Sequence, residues 1–383
     1  MTRRHRVMFV VVFLIGAGAT VAGLSALGSA TEGPLSSALG WVGAMTGVAE
    51  RHVRDRLEGP GRRGQMERFA PYRTSADRLR RPEITLLGAF DTDIPRTLDG
   101  VIQLETRIGT RLPLVQLYSA WGDRPDQQFP LQLVTAIDGI GSIPVITWEP
   151  WLTDFDNGRH PTLPLREGRD RHGLGAVARG EYDFYLDSWA AAATRYGKPL
   201  LVRFGHEMND PYRYPWGPQN NTKEEYIAAW RHVVDRFRSA GAINVLWVWS
   251  PHVAYDYWDL YYPGNDYVDW VATGVLNFGP IAQWSRWWSV AEIFGAKYER
   301  LASFGKPVMI AEFGSLAVGG DRAEWYRQAL DSLPQRYPAV RAVVFFQVRG
   351  DQTVTYQKVD WTFLDDSSVV AAVGGSLGWA PGR

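Results

Sequence analysis

From Pro82 to the C-terminus, short apolar runs alternate with stretches whose apolar positions recur every three or four residues. The runs are residues 84–90, 114–118, 144–148, 200–204, 245–249, 270–276, 308–313 and 342–347. They are continuously apolar rather than alternating, which marks strands buried on both faces. Strands of that kind separated by helices form a parallel sheet covered by helices. Eight units in about 300 residues predict a closed (β/α)8 barrel in the α/β class. An open doubly wound sheet is the competing architecture and carries a glycine-rich phosphate turn after its first strand. Gly88-Ala89-Phe90-Asp91 does not make that turn.

The intervening helices carry their own punctuation. Thr222 with Glu225 three residues later is a capping box. The helix it opens aligns Tyr226, Trp230, Val233 and Phe237 on one face, and Gly241 stops it. Helices over 182–196 and 290–304 both end in Gly-Lys-Pro, at 197–199 and 305–307. Each turn leads into an apolar strand that runs into a glutamate, Glu207 in one case and Glu312 in the other. The two acids therefore sit at equivalent ends of two strands, on the rim where barrel enzymes do their chemistry.

Upstream, the pattern divides the chain further. Arg3, Arg4 and Arg6 precede an uncharged apolar run over residues 7–28. That order is an export signal or a retained transmembrane anchor, since about 20 apolar residues span a bilayer. Residues 1–30 are assigned to this segment and the remainder to the outside of the cell or the cell envelope. Residues 31–81, rich in Gly, Ser and Arg, are expected to be a flexible linker. The barrel is assigned to residues 82–383.

Composition narrows the chemistry. Lys plus Arg and Asp plus Glu both number 41, so no basic surplus supports nucleic-acid binding. With no cysteine in the chain, disulfides, thiolate metal sites and a cysteine nucleophile are excluded. Some of the 17 tryptophans belong to the core, and so many also suit a groove that stacks sugar faces.

Arg203, His206, Glu207 and Asn209 crowd the end of the fourth strand, where apolar residues would be cheaper unless a site required them. A buried Arg203–Glu207 salt bridge is the bland alternative. Zinc is a poor fit, because His206-Glu207 is followed at the next helical position by Asp210, not histidine. Glu312 ends the seventh strand, before Phe313 and Gly314. Two carboxyls at equivalent strand ends are what glycoside cleavage needs. One protonates the leaving oxygen while the other, ionised, attacks the anomeric carbon.

The run Arg203-Phe204-Gly205-His206-Glu207-Met208-Asn209 resembles glycoside hydrolase family 26, a family of retaining (β/α)8 hydrolases. Ile146-Thr147-Trp148-Glu149-Pro150-Trp151, Tyr214-Pro215-Trp216-Gly217, Trp247-Val248-Trp249-Ser250-Pro251, the 262–269 segment and Ala311-Glu312-Phe313-Gly314 extend the resemblance over residues 84–365. It implies Glu207 as general acid/base and Glu312 as nucleophile. It also implies His206 beside the acid/base, Arg203 orienting the carboxylates, Asn209 as polar support and Trp216 in the sugar cleft. Trp121, Trp148 and Trp151 fall where subsites are expected, and His252 and Asn277 follow neighbouring strands. Trp284, Trp287 and Trp288 are a candidate platform. The family's usual tyrosine beside the nucleophile is replaced here by Leu276, and a usual tryptophan at the eighth strand by Phe345. The expected protein is a monomer that needs no metal or cofactor and cleaves a β-mannan or β-glucan internally. A tethered polysaccharide-binding protein without activity is the alternative.

Overall fold

The computed structural model describes residues 62–282, 285–352 and 357–381. Eight parallel strands close into a barrel in sequence order: β1 (Leu86–Asp91), β2 (Leu114–Ala120), β3 (Ile143–Glu149), β4 (Leu200–Phe204), β5 (Val245–Trp249), β6 (Trp270–Asn277), β7 (Val308–Ser315) and β8 (Val340–Gln347). Each expected strand is present, its ends shifted by no more than two residues. Helices follow all strands but β5, whose connection to β6 carries only short 3-10 turns at Trp258–Tyr261 and Asn265–Tyr267.

Strand alternation sorts the side chains into two layers. Leu86, Leu114, Ile143, Val145, Leu201, Leu246, Val248, Met309, Ala342 and Val344 fill the barrel interior. Their outward neighbours, including Trp148, Phe204, Trp247, Ile310 and Phe345, pack under the helices. Capping boxes open two of those helices: Thr222 with Glu225 at Lys223–Ser239, and Ser289 with Glu292 at Val290–Ala302.

One irregularity matters for function. On β7, Ile310 pairs with Thr273 and Glu312 with Gly274, while Ile310 and Phe313 pair with Val343 and Phe345. Ala311 is thus an extra residue, unopposed on both sides. Such a bulge re-aims the side chain that follows it. Ala311 and Glu312 consequently both face inward, and Phe313 returns to the helix layer against Trp325 and Tyr326.

The linker expected to reach residue 81 does not. Helical turns at Glu67–Phe69, Ala70–Thr74 and Ala76–Arg80 bury Phe69, Tyr72 and Leu79, and together with Met66 these side chains join the interior cluster at the bottom of the barrel. The Trp270 indole donates to the Leu79 carbonyl (3.1 Å) and Arg80 pairs with Asp269 (2.6 Å). Apolar residues spaced through an Arg-rich segment supplied this floor, and local polarity hid it. The apolar run over residues 7–28 lies outside the described residues, as does Trp284. Among the described residues no helix is long and apolar enough to cross a membrane.

The connection after β3 is long enough to suggest a lid, yet it is tied down from within. Arg169 is buried, and its guanidinium donates to the carbonyls of Leu152 and Pro164 and to the Asn157 side chain.

Candidate active site

The C-terminal mouth of the barrel gathers the polar residues. Glu207 lies in the turn after β4, with φ of +54°. A non-glycine residue there is held at a cost of about 1–2 kcal/mol, and the turn is fixed by Glu207 N–H donating to the Ser250 carbonyl (2.7 Å). Oε2 of Glu207 accepts from Arg213 Nη1 (3.3 Å), and Oε1 lies 3.9 Å from His252 Nε2. Because Nδ1 of His252 accepts the Ala254 amide (3.0 Å), the neutral ring carries its hydrogen on Nε2, facing Glu207.

Glu312 is held by different means. Arg203, fully buried on β4, donates from Nη1 to Oε1 (2.7 Å), and the Tyr118 hydroxyl on β2 donates to the same oxygen (2.7 Å). Burial pushes the Glu312 carboxyl up, but the Arg203 charge and the two hydrogen bonds outweigh it. The carboxyl is held below the usual carboxylate range. Arg203 is itself braced by the Ser250 hydroxyl (3.0 Å) and Thr147 (3.4 Å). The bland expectation of an Arg203–Glu207 bridge is therefore not what forms: the arginine bonds the other glutamate.

A cleft of about 790 Å³ opens beside Glu207, lined by Arg213, His252, Tyr255, Leu276 and Trp288. At the end of β3, Glu149 faces inward and accepts from the Trp151 indole (3.1 Å). Burial pushes its carboxyl up to about 7.

Several expected contacts fall elsewhere. Trp121 and Trp148 are fully buried, 4.7 Å apart in the layer between barrel and helices, and have no surface to offer a sugar. The cause is alternation: Thr147 and Glu149 point inward, so Trp148 points out. Trp216 is 2% exposed, stacked on Tyr214 at 4.5 Å, with its indole donating to the His206 carbonyl. His206 is buried, 3.1 Å from the Tyr214 hydroxyl, and burial with the Arg203 charge holds its pKa well below the usual range, leaving the ring neutral. Neither residue lines the cleft. Asn277 is fully buried, donating to Ser315 and accepting from Gly279 and Trp288, so it shapes the loop after β6. Asn209 bonds the backbone at His252 and Tyr255 and positions His252. Arg203 works through Glu312. Phe345 lies in the helix layer, and Phe346 is the aromatic that β8 turns toward the rim, beside Phe90 and Trp361. Glu207 and His252 line the cleft, Glu312 is held in the barrel mouth by Arg203 and Tyr118, and Trp151 is half-buried beside Glu149.

Tyr118, Glu149 and Arg213 were not singled out from the sequence. Gln116 and Tyr118 are polar residues two apart in an apolar strand, and inward polar positions of that kind are the signal that marks Tyr118.

Among the described residues, Glu207, Asp210 and His252 form the one cluster with ligand atoms within 4.8 Å of one another. Arg213 already occupies the Glu207 carboxylate, and a cation placed there would meet that charge.

The chain is thus a (β/α)8 barrel with one buried glutamate in the turn after its fourth strand and another on its seventh. Residues 185–328 match glycosyl hydrolase family 26, and the barrel belongs to that family. Endoglucanase H of Acetivibrio thermocellus is 32% identical over 280 residues, 70% of this chain and 28% of that protein. Mannan endo-1,4-beta-mannosidase A and B of Caldalkalibacillus mannanilyticus is 29% identical over 184 residues, 45% of this chain and 32% of that protein. The chain thus spans about a third or less of the length of these relatives. Among solved structures, a family 26 β-mannanase from Bacteroides ovatus matches with a TM-score of 0.55 at 17% identity, covering 79% of this chain and 91% of that one. A Cellulomonas fimi endo-beta-1,4-mannanase matches with a TM-score of 0.55 at 18% identity, covering 81% and 74%. At such identities these two structures speak to the fold.

Proposed function

We propose that the chain is an endo-acting, retaining β-glycoside hydrolase. The observation that carries this reading is the asymmetry of the two glutamates. Glu312 is held ionised by Arg203 and Tyr118, as a nucleophile must be. Glu207 lies on the open cleft with His252 beside it. In the first step Glu312 attacks the anomeric carbon while Glu207 gives its proton to the departing oxygen. In the second, Glu207 takes a proton from water as that water displaces Glu312. This double displacement requires the two carboxyls to stand about 5–5.5 Å apart across the sugar.

A β-linked glucan is the first substrate of this reading, supported by similarity to an endoglucanase over 280 residues; β-mannan is the second, supported by the mannanase relatives. Incubation with mixed-linkage β-glucan, cellulose derivatives and galactomannan, read by reducing ends and product lengths, separates them. Glu312→Gln should abolish cleavage. Glu207→Gln should lose most activity on polysaccharide but far less on an aryl glycoside whose leaving group needs no proton. Wild-type turnover in either variant overturns the roles, and glycan retention without cleavage by the native protein favours a binding protein. The reading also places the enzyme outside the cytoplasm, on the support of three arginines preceding an apolar run. The mass of the mature protein distinguishes cleaved from anchored forms.

A further inference from the structure

We infer that Tyr118 is a positioning residue that, with Arg203, dedicates Oε1 of Glu312 to hydrogen bonding and leaves Oε2 as the oxygen that attacks. The inference rests on the assignment of Glu312 as nucleophile. Both donors converge on one oxygen, each at 2.7 Å, from the two strands that flank β3: Arg203 from β4 and Tyr118 from β2. The phenol has a defined polarity. Gln116, two residues back on the same inward face, reaches the Tyr118 oxygen with its amide nitrogen (3.4 Å), so the tyrosine's own hydrogen goes to Glu312. Phe90 packs edge-on at 4.8 Å and His206 at 6.2 Å, which fix the ring.

Oε2 has the opposite surroundings. Among the described residues it has no hydrogen-bond donor, and it looks over Gly274 of β6, where even a Cβ would stand only 3.7 Å away. The next inward residue of β6 is Leu276, which brings no donor either. Strand β6 therefore leaves room above one oxygen, while β2 supplies the hydroxyl for the other.

The chemistry makes this division consequential. In the first step a lone pair of Oε2 forms the bond to the anomeric carbon and the glycosidic bond breaks, its electrons and the Glu207 proton going to the leaving oxygen. Oε1 becomes the carbonyl oxygen of the resulting ester, a weaker acceptor than a carboxylate. The Tyr118 bond is thus strongest when Glu312 is free. It favours the step in which Glu312 departs and lowers the basicity of the attacking oxygen. Removing it should slow breakdown of the covalent intermediate more than its formation.

Tyr118→Phe tests this. Losing a hydrogen bond to a charged group predicts a kcat about ten- to a hundredfold lower. KM should fall with it, because the intermediate accumulates, and the acid limb of the pH–rate profile should move to higher pH. Gln116→Leu should change all three in the same sense and by less. A KM that stays or rises, with the acid limb unmoved and wild-type melting, overturns the proposal. A readout independent of turnover separates this from failure of the functional reading. With glutamate side-chain carboxyls labelled with carbon-13, and Glu312 identified by its absence in Glu312→Gln, Tyr118→Phe should raise the titration midpoint of Glu312 even if no glycan is cleaved. An unchanged midpoint would overturn the proposal as well.

Discussion

The Ser250 carbonyl accepts the amide hydrogen of Glu207 at 2.7 Å, and through its hydroxyl Ser250 also accepts from Arg203 at 3.0 Å. One residue at the end of β5 therefore braces both glutamates, the first through backbone and the second through the arginine that bonds it. Ser250→Ala keeps the backbone bond and strands a buried guanidinium donor. The expected loss is about 1–3 kcal/mol of stability, read by denaturant unfolding, with a severalfold drop in kcat. Unchanged melting would mean that Arg203 does not depend on this brace.

Acid sensitivity should follow the Glu312–Arg203 pair. The folded-state pKa of Glu312 is depressed, so its contribution to stability is present above the unfolded value, about 4.3. That contribution is lost as pH falls through the lower native value. Arg203→Met should cost about 3–5 kcal/mol, the usual penalty for breaking a buried pair. It should also move the acid limb of activity to higher pH. Unfolding curves collected from pH 3 to 7 on both proteins check the two statements together.

Glu149 behaves with the opposite sign. Its carboxyl is raised from 4.5 to about 7, first by burial. Between those values the folded state binds the proton more tightly, so this residue's contribution declines as pH rises and is flat above 7. The full swing is about 3 kcal/mol. Glu149→Gln, which stays neutral, should therefore gain stability over wild type at pH 8 and little at pH 4.5. Equal effects at both pH values would show that Glu149 is ionised throughout.

Two tryptophans three residues apart should separate stability from binding. Trp148 is fully enclosed against Trp121, Trp189 and Phe204, so Trp148→Ala should cost about 3–5 kcal/mol with KM unchanged in the protein that folds. Trp151 is half-buried at the rim, so Trp151→Ala should raise KM severalfold and lower melting slightly. Isothermal binding of an oligosaccharide to the Glu312→Gln background gives the same contrast without turnover.

The barrel was legible because parallel strands buried on both faces are continuous apolar runs, and Gly-Lys-Pro turns announced two of them. Glu207 and Glu312 were legible because acids at the ends of such strands have no cheap structural excuse. Side-chain direction was harder. A strict period of two would send Glu312 outward with Ile310, and only the extra residue Ala311 turns it in. The same period sends Trp148 outward, which a count of aromatics cannot reveal. Tyr118 escaped notice because its partner lies 194 positions away along the chain.

Met66, Phe69 and Leu79 act as a stopper for the end of the barrel opposite the cleft. A chain produced from residue 82 onward would keep Glu207 and Glu312 and still be uncorked, with Leu86, Ile143 and Leu246 open to water from below. Such a truncation should aggregate or melt early, whereas a start ahead of Gln65 should not. The boundary of the working unit is thus drawn at the base of the barrel, far from the chemistry it supports.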